Sequence, residues 1–314
     1  MDTTSICHSE TVLYTESILN ENIKKRPKIG SIFWELSLYS WIIFIGFGFS
    51  EIIIFLYKKN EEEFVIWSFI IINKSNKINK NYEEPFNIPI QMNNYLFILL
   101  LIIILIFSIF QFIYYLINSF FKNKNIYDSM MGPFSKFHFF PLFCYNAVFF
   151  IGLFPTFCNL DKILITNLLV LDIIISIFGL LSLIFIYIQT KFKYEIFYKV
   201  LIIKKGTYSC LLALMVYHIG YNITVFEYLL EADNSDIDRV GISFSVIIGL
   251  LNLFLGLSFK DITILFMNIL IYIGIVIEKK NKKNILIVDI IIIVLFFSLA
   301  IFLIIRAVKN KKFN

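Results

Sequence analysis

Long unbroken apolar runs alternate with short polar connections along this chain, and neither the two-residue period of strands nor the one-sided stripe of soluble helices is visible. The runs occupy residues 32–57, 94–120, 138–158, 163–188, 207–230, 240–258, 262–278 and 285–307. A bilayer's hydrocarbon core, about 30 Å thick, takes about 20 apolar residues as a helix. The pattern therefore predicts an all-α fold, a polytopic transmembrane helix bundle of eight spans, with seven as the alternative count. Three regions follow: a polar tail over 1–31, the bundle over 32–307 with an outside loop at 58–93, and a basic tail over 308–314. Within that loop FVIWSFIII is too short to span; it is either a strand or an interfacial segment, the latter favoured. Trp34 and Trp41 at one end of the first run and Tyr57 at the other fit interfacial anchors.

Composition agrees with a bilayer environment. Of 314 residues, 59% are hydrophobic and only 16% charged, far from the balance of a soluble domain. The first 30 residues are polar and lack the apolar core of a signal peptide, so the first span is expected to act as the targeting signal. Net charge is +5, and its distribution says more than its sum. With the N-terminus cytosolic, inside segments carry 17 Lys and Arg against 11 outside, which favours both termini cytosolic. The cluster KKNKK at 279–283 falls on the wrong side, so 240–278 is either two spans or a re-entrant hairpin. Asn73-Lys74-Ser75 is a glycosylation sequon in the outside loop, and EADNSDID at 231–238 makes an acidic outside segment.

Cys7, Cys144, Cys158 and Cys210 are scattered without metal-ligand spacing and read as free thiols; no metal site or cofactor is expected. Three histidines are too few for a His-rich membrane metal centre, and no H-E-x-x-H, G-x-S-x-G or P-loop occurs. Glu61–Glu63 and the pair Asp236/Asp238 resemble the metal-binding acids of glycosyltransferases that use lipid-linked sugars, a two-residue likeness only. The chain ends Lys311-Lys312-Phe313-Asn314. This resembles the dilysine retrieval signal of endoplasmic-reticulum membrane proteins, which implies that membrane, with the plasma or vacuolar membrane as the alternative.

The polar residues inside the apolar runs carry the functional argument. Counted at 1.5 Å per residue, Asp172 in the fourth span lies about 13 Å from its outer end. His218 and Asn222 in the fifth span lie about 18 and 12 Å from theirs, and Asn146 in the third about 18 Å. His218 and Asn222 share a helix face. A charged group at such a depth costs about 2.5–3.5 kcal/mol on insertion scales and marks a functional site by default. The four are expected to line one pocket binding a substrate or ion. The competing reading makes Asp172 a protonated, hydrogen-bonded link between helices. Pro141 and Pro155 in the third span either break that helix or bend it harmlessly. Gly241, Ser245 and Gly249 form a small-residue packing face, and Glu51, Glu227 and Asp289 are placed near helix ends, reaching headgroups.

Function divides three ways: a transporter or channel-like protein for a small solute, ion or lipid; a reticulum lipid- or glycolipid-processing enzyme or its accessory subunit; or a receptor or scaffold. An enzyme is the less favoured of these. Expected partners are the bilayer, such a cargo and other membrane proteins, not nucleic acid.

Overall fold

The computed structural model describes residues 32–58, 64–67, 70–73, 88–120, 139–157, 162–193, 198–230, 234–278 and 283–311. Within them the chain forms α1 (Ile32–Lys58), β1 (Phe64–Trp67), β2 (Ile70–Asn73), α2 (Asn94–Phe120), α3 (Phe139–Phe157), α4 (Lys162–Lys193), α5 (Tyr198–Leu229), α6 (Asn234–Phe259), α7 (Ile262–Glu278) and α8 (Lys283–Lys311). Each helix falls on a run predicted from the apolar pattern. Six are long and apolar enough to cross a bilayer, while α3 and α7 contribute shorter apolar stretches. The molecule is a helical bundle of an integral membrane protein.

The helices are organised around α5. It packs against α2, α4, α6 and α7, with α1 and α3 completing one flank and α8 covering α6 and α7. Its membrane window is 83% buried, against 28% for α8, although α5 is the least apolar of the six long helices. In lipid this inversion is expected: the outer helices meet hydrocarbon, so the polar side chains collect on the helix that protein surrounds.

Two expectations change, at FVIWSFIII and at Trp41. FVIWSFIII is not one interfacial segment but a hairpin: β1 and β2 pair antiparallel from Phe64 opposite Asn73 to Trp67 opposite Ile70. Its β-branched and aromatic residues suit strands, and a two-residue connection suits a tight hairpin. Trp41 is no interfacial anchor. It is wholly buried, with its ring against Phe44, Phe112 and Tyr208. The helix α3 runs unbroken, because Pro141 lies in its first turn, where the missing N–H would have no partner anyway, and Pro155 lies in its last. The end of the loop before α2 packs into the bundle, with Ile88 and Ile90 fully buried.

Between α6 and α7 the chain turns in two residues. Lys260 adopts φ 50°, its N–H donates to Leu257 O at 3.2 Å, and Asp261 N–H donates to Gly256 O at 3.0 Å. This paired closure ends α6. Asp261 Oδ1 then accepts from Thr263 N–H at 2.9 Å and caps α7. The helices α6 and α7 are thus antiparallel neighbours, α7 being about 25 Å long at 1.5 Å per residue.

Candidate functional site

Asp172 on α4 and His218 on α5 meet with no exposure to solvent or lipid on either side chain; His218 Nε2 lies 2.8 Å from Asp172 Oδ1. Ser176, one turn after Asp172, donates its hydroxyl to the same oxygen at 3.1 Å. Asn222, one turn after His218, places its amide nitrogen 2.9 Å from the same imidazole nitrogen. The i, i+4 spacing on both helices brings four polar side chains to one point on the α4–α5 interface. With Nε2 protonated, its N–H donates to Asp172, and a turned Asn222 amide offers its oxygen as a second acceptor. In either orientation one end of that buried amide meets no protein group. Asp172 Oδ2 likewise has no hydrogen-bond partner. A buried carboxylate oxygen without a donor costs about 1–3 kcal/mol or more, so this centre has spare capacity for a proton, a water or a ligand.

Asn146 does not join it. Its amide donates to Ser40 O on α1 at 2.9 Å. Cys144, two residues earlier, faces α4, its Cβ lying 3.2 Å from the place a Cβ on Gly179 would take. Two residues are about 200° around a helix at 3.6 per turn, so Asn146 faces the other way. Depth alone had grouped the four; azimuth separates one of them.

Against Tyr217 of α5 stands a non-helical segment. Ile88–Gln91 form a turn in which Gln91 N–H donates to Ile88 O at 3.2 Å, with Pro89 at the position that proline favours. Its backbone is held by one hydroxyl, that of Tyr217, which donates to Ile90 O at 3.1 Å and accepts from Met92 N–H at 3.2 Å. Asn93 adds an N–H to Gly274 O at 3.0 Å and a side-chain bond to Glu278 at 3.3 Å, and its Oδ1 caps α2 through Tyr95 N–H at 3.2 Å. Gly241 admits the segment, since a Cβ there would come 2.3 Å from Pro89 Cβ. Irregular backbone at membrane depth persists only where protein satisfies it or a polar cavity adjoins it.

Glu51 and Asp289, expected to reach headgroups, are buried instead; Glu227 is half-buried. Glu51 has neither oxygen partnered. Asp289 on α8 accepts a short hydrogen bond from Ser245 on α6 through Oδ1, and Oδ2 has no partner. Tyr272 on α7 donates to Ser245 O at 2.5 Å. Further along the same interface Asn252 donates to Asn268 at 2.7 Å. Toward the α6–α7 turn, Asp261 Oδ2 accepts from Tyr187 at 2.9 Å and Ser209 at 2.7 Å, fastening the turn to α4 and α5. Sequence reasoning missed Ser176, Tyr217, Asn252 and Asn268. Ser176 stands one turn from Asp172, and both asparagines interrupt apolar runs, which is the signal that would have found them.

Asp236 and Asp238 stand two residues apart on α6, again about 200° around the helix, and Asp236 pairs with Arg239 at 3.2 Å. They do not converge on one point. Glu61–Glu63 and Lys312 lie outside the described residues, and Lys311 is the last residue of α8. Asn73 ends β2. Cys144 and Cys210 are buried free thiols; Cys7 and Cys158 lie outside the described residues. No protein-family model, curated protein or solved structure matches the chain.

Proposed function

We propose that the protein is a transporter or channel-like protein for a small solute or ion, with Asp172, His218 and Asn222 as its proton- or cation-responsive centre. The observation that carries this is the fully buried Asp172–His218 contact across α4 and α5, with Asp172 Oδ2 left unpartnered. An imidazole–carboxylate pair changes charge with a single proton. Holding two helices together, it couples protonation or ligand binding to how those helices pack. The enzyme reading loses its Asp-x-Asp support, because those two carboxylates leave α6 in opposite directions. A purely structural pair is the remaining competitor.

Proteoliposomes enclosing a pH dye test the proposal. Under an imposed potassium diffusion potential, the wild-type protein is expected to pass protons faster than empty vesicles. Asp172→Asn at equal protein level is expected to fall to the empty-vesicle rate, and unchanged flux in that variant would sink the proposal. For location, the reading is the endoplasmic reticulum, supported by the Lys311-Lys312 pair in the basic segment that closes α8. An N-terminally tagged protein should stay in the reticulum and leave it when both lysines become serine. Arrival of the intact protein at the plasma or vacuolar membrane would overturn that reading.

A further inference from the structure

We propose that α6, α7 and α8 hold a second site, built from Asp289, Ser245 and Tyr272, that takes a small monovalent cation of the sodium type. It is independent of the Asp172 centre, which lies between α4 and α5. Asp289 and Ser245 are buried to 0% and 1% exposure, and Tyr272 to 1%. Among the described residues Asp289 has no basic partner, in contrast to Asp172. An unpaired carboxylate cannot stay charged in such surroundings, so a proton or a metal ion must neutralise it.

Two features favour the metal ion. Among the described residues Oδ2 has no hydrogen-bond partner, which leaves that oxygen open to a ligand. The polar atoms bonded into this cluster are oxygens from three helices: Asp289 Oδ1 with the Ser245 hydroxyl, and the Tyr272 phenol with Ser245 O. Oxygen-only sets suit hard cations. A single carboxylate balances one positive charge, whereas divalent sites draw on more charged ligands. After donating to Ser245 O, the Tyr272 phenol oxygen keeps lone pairs for an ion. Gly249 leaves it room, since a Cβ there would stand 3.1 Å from that oxygen and 3.0 Å from Ile292. The small-residue face Gly241, Ser245, Gly249 thus does two jobs. Gly241 seats Pro89, while Ser245 and Gly249 frame the acid.

Equilibrium binding of radioactive sodium to the purified full-length protein in detergent is the test, with choline holding ionic strength constant. The wild type is expected to bind sodium saturably, and Asp289→Asn to weaken that binding at least about tenfold. Ser245→Ala and Tyr272→Phe should each weaken it several-fold, while Asp172→Asn leaves it unchanged. Tyr272→Phe removes a single oxygen and serves if Asp289→Asn does not yield monodisperse protein. The proposal is overturned if the wild type shows no saturable sodium binding. It is equally overturned if binding is as tight as in the wild type in Asp289→Asn or Tyr272→Phe, or follows Asp172 instead; a melting temperature that responds to pH but not to sodium would assign the acid to a proton.

Discussion

Asp172 and Asp289 are both wholly buried in this bundle, each joined to a serine through one oxygen and with the other oxygen unpartnered. They differ in what stands opposite. Asp172 faces an imidazole on the central helix α5, and the pair can share a proton between its own members. Among the described residues Asp289 is bonded only by the Ser245 hydroxyl of α6, whose carbonyl accepts from Tyr272 of α7. The first acid carries its own neutralising group; the second must take one from solution. Burial alone therefore does not say what a membrane carboxylate does. The atom across from it does, because the cost of the charge is met either inside the protein or by a ligand.

Removing His218 turns the first acid into a counterpart of the second, and this is the change with the largest expected effect. His218→Ala leaves Asp172 without its partner, and breaking a buried pair in this way costs about 3–5 kcal/mol. Thermal unfolding in detergent should show it as a large loss in melting temperature at neutral pH. The double replacement Asp172→Leu with His218→Leu separates the two roles. Near-wild-type stability with lost proton flux would make the pair functional. Near-wild-type stability with retained flux would leave it structural.

A smaller effect is expected one residue away. Tyr217 holds the irregular 88–93 segment by accepting from Met92 N–H and donating to Ile90 O. Tyr217→Phe orphans a buried donor and a buried acceptor, at about 1–3 kcal/mol for such groups. Because this hydroxyl holds both Ile90 O and Met92 N–H, the loss should appear locally. Amide exchange at 90–93 is expected to speed up while exchange in α8 stays as in the wild type. Uniform acceleration through the bundle would mean that the hydroxyl supports the whole fold rather than the segment.

The apolar runs located each described helix, though several helices run four to nine residues past the predicted bounds, as α5 does in starting at Tyr198 rather than 207. Asp172, His218 and Asn222 were legible for a related reason: polar groups in hydrocarbon are costly enough to stand out. What the runs could not give was rotation about each helix axis. Asn146 had the right depth and the wrong face, and Trp41 had the right position for an interface and yet turns inward. Asp289 sits six residues from the start of α8, where reaching the headgroups looked feasible; Ser245 and Tyr272 draw it into the bundle instead. Azimuth is decided by partners on other helices, and a single sequence carries no record of them.

The smallest effect is expected between the two regions' neighbours, at Asn252 and Asn268. They form a hydrogen bond between α6 and α7 at 2.7 Å, and Asn268 also donates to Ile264 O at 2.7 Å. Neither residue carries charge, so neither needs a counter-ion, and removing one strands only a neutral amide. Interhelical hydrogen bonds of this kind average about 0.6 kcal/mol in membranes, because the separated helices also find partners. Asn268→Leu and Asn252→Leu, singly and together, should give a coupling near that size by steric-trapping or unfolding measurements. A coupling as large as that of Asp172 with His218 would show that polarity by itself holds this interface. The contrast between the two aspartates would then no longer rest on charge. A coupling below about 1 kcal/mol leaves the distinction where the geometry puts it, in the nitrogen that faces Asp172 and is missing opposite Asp289.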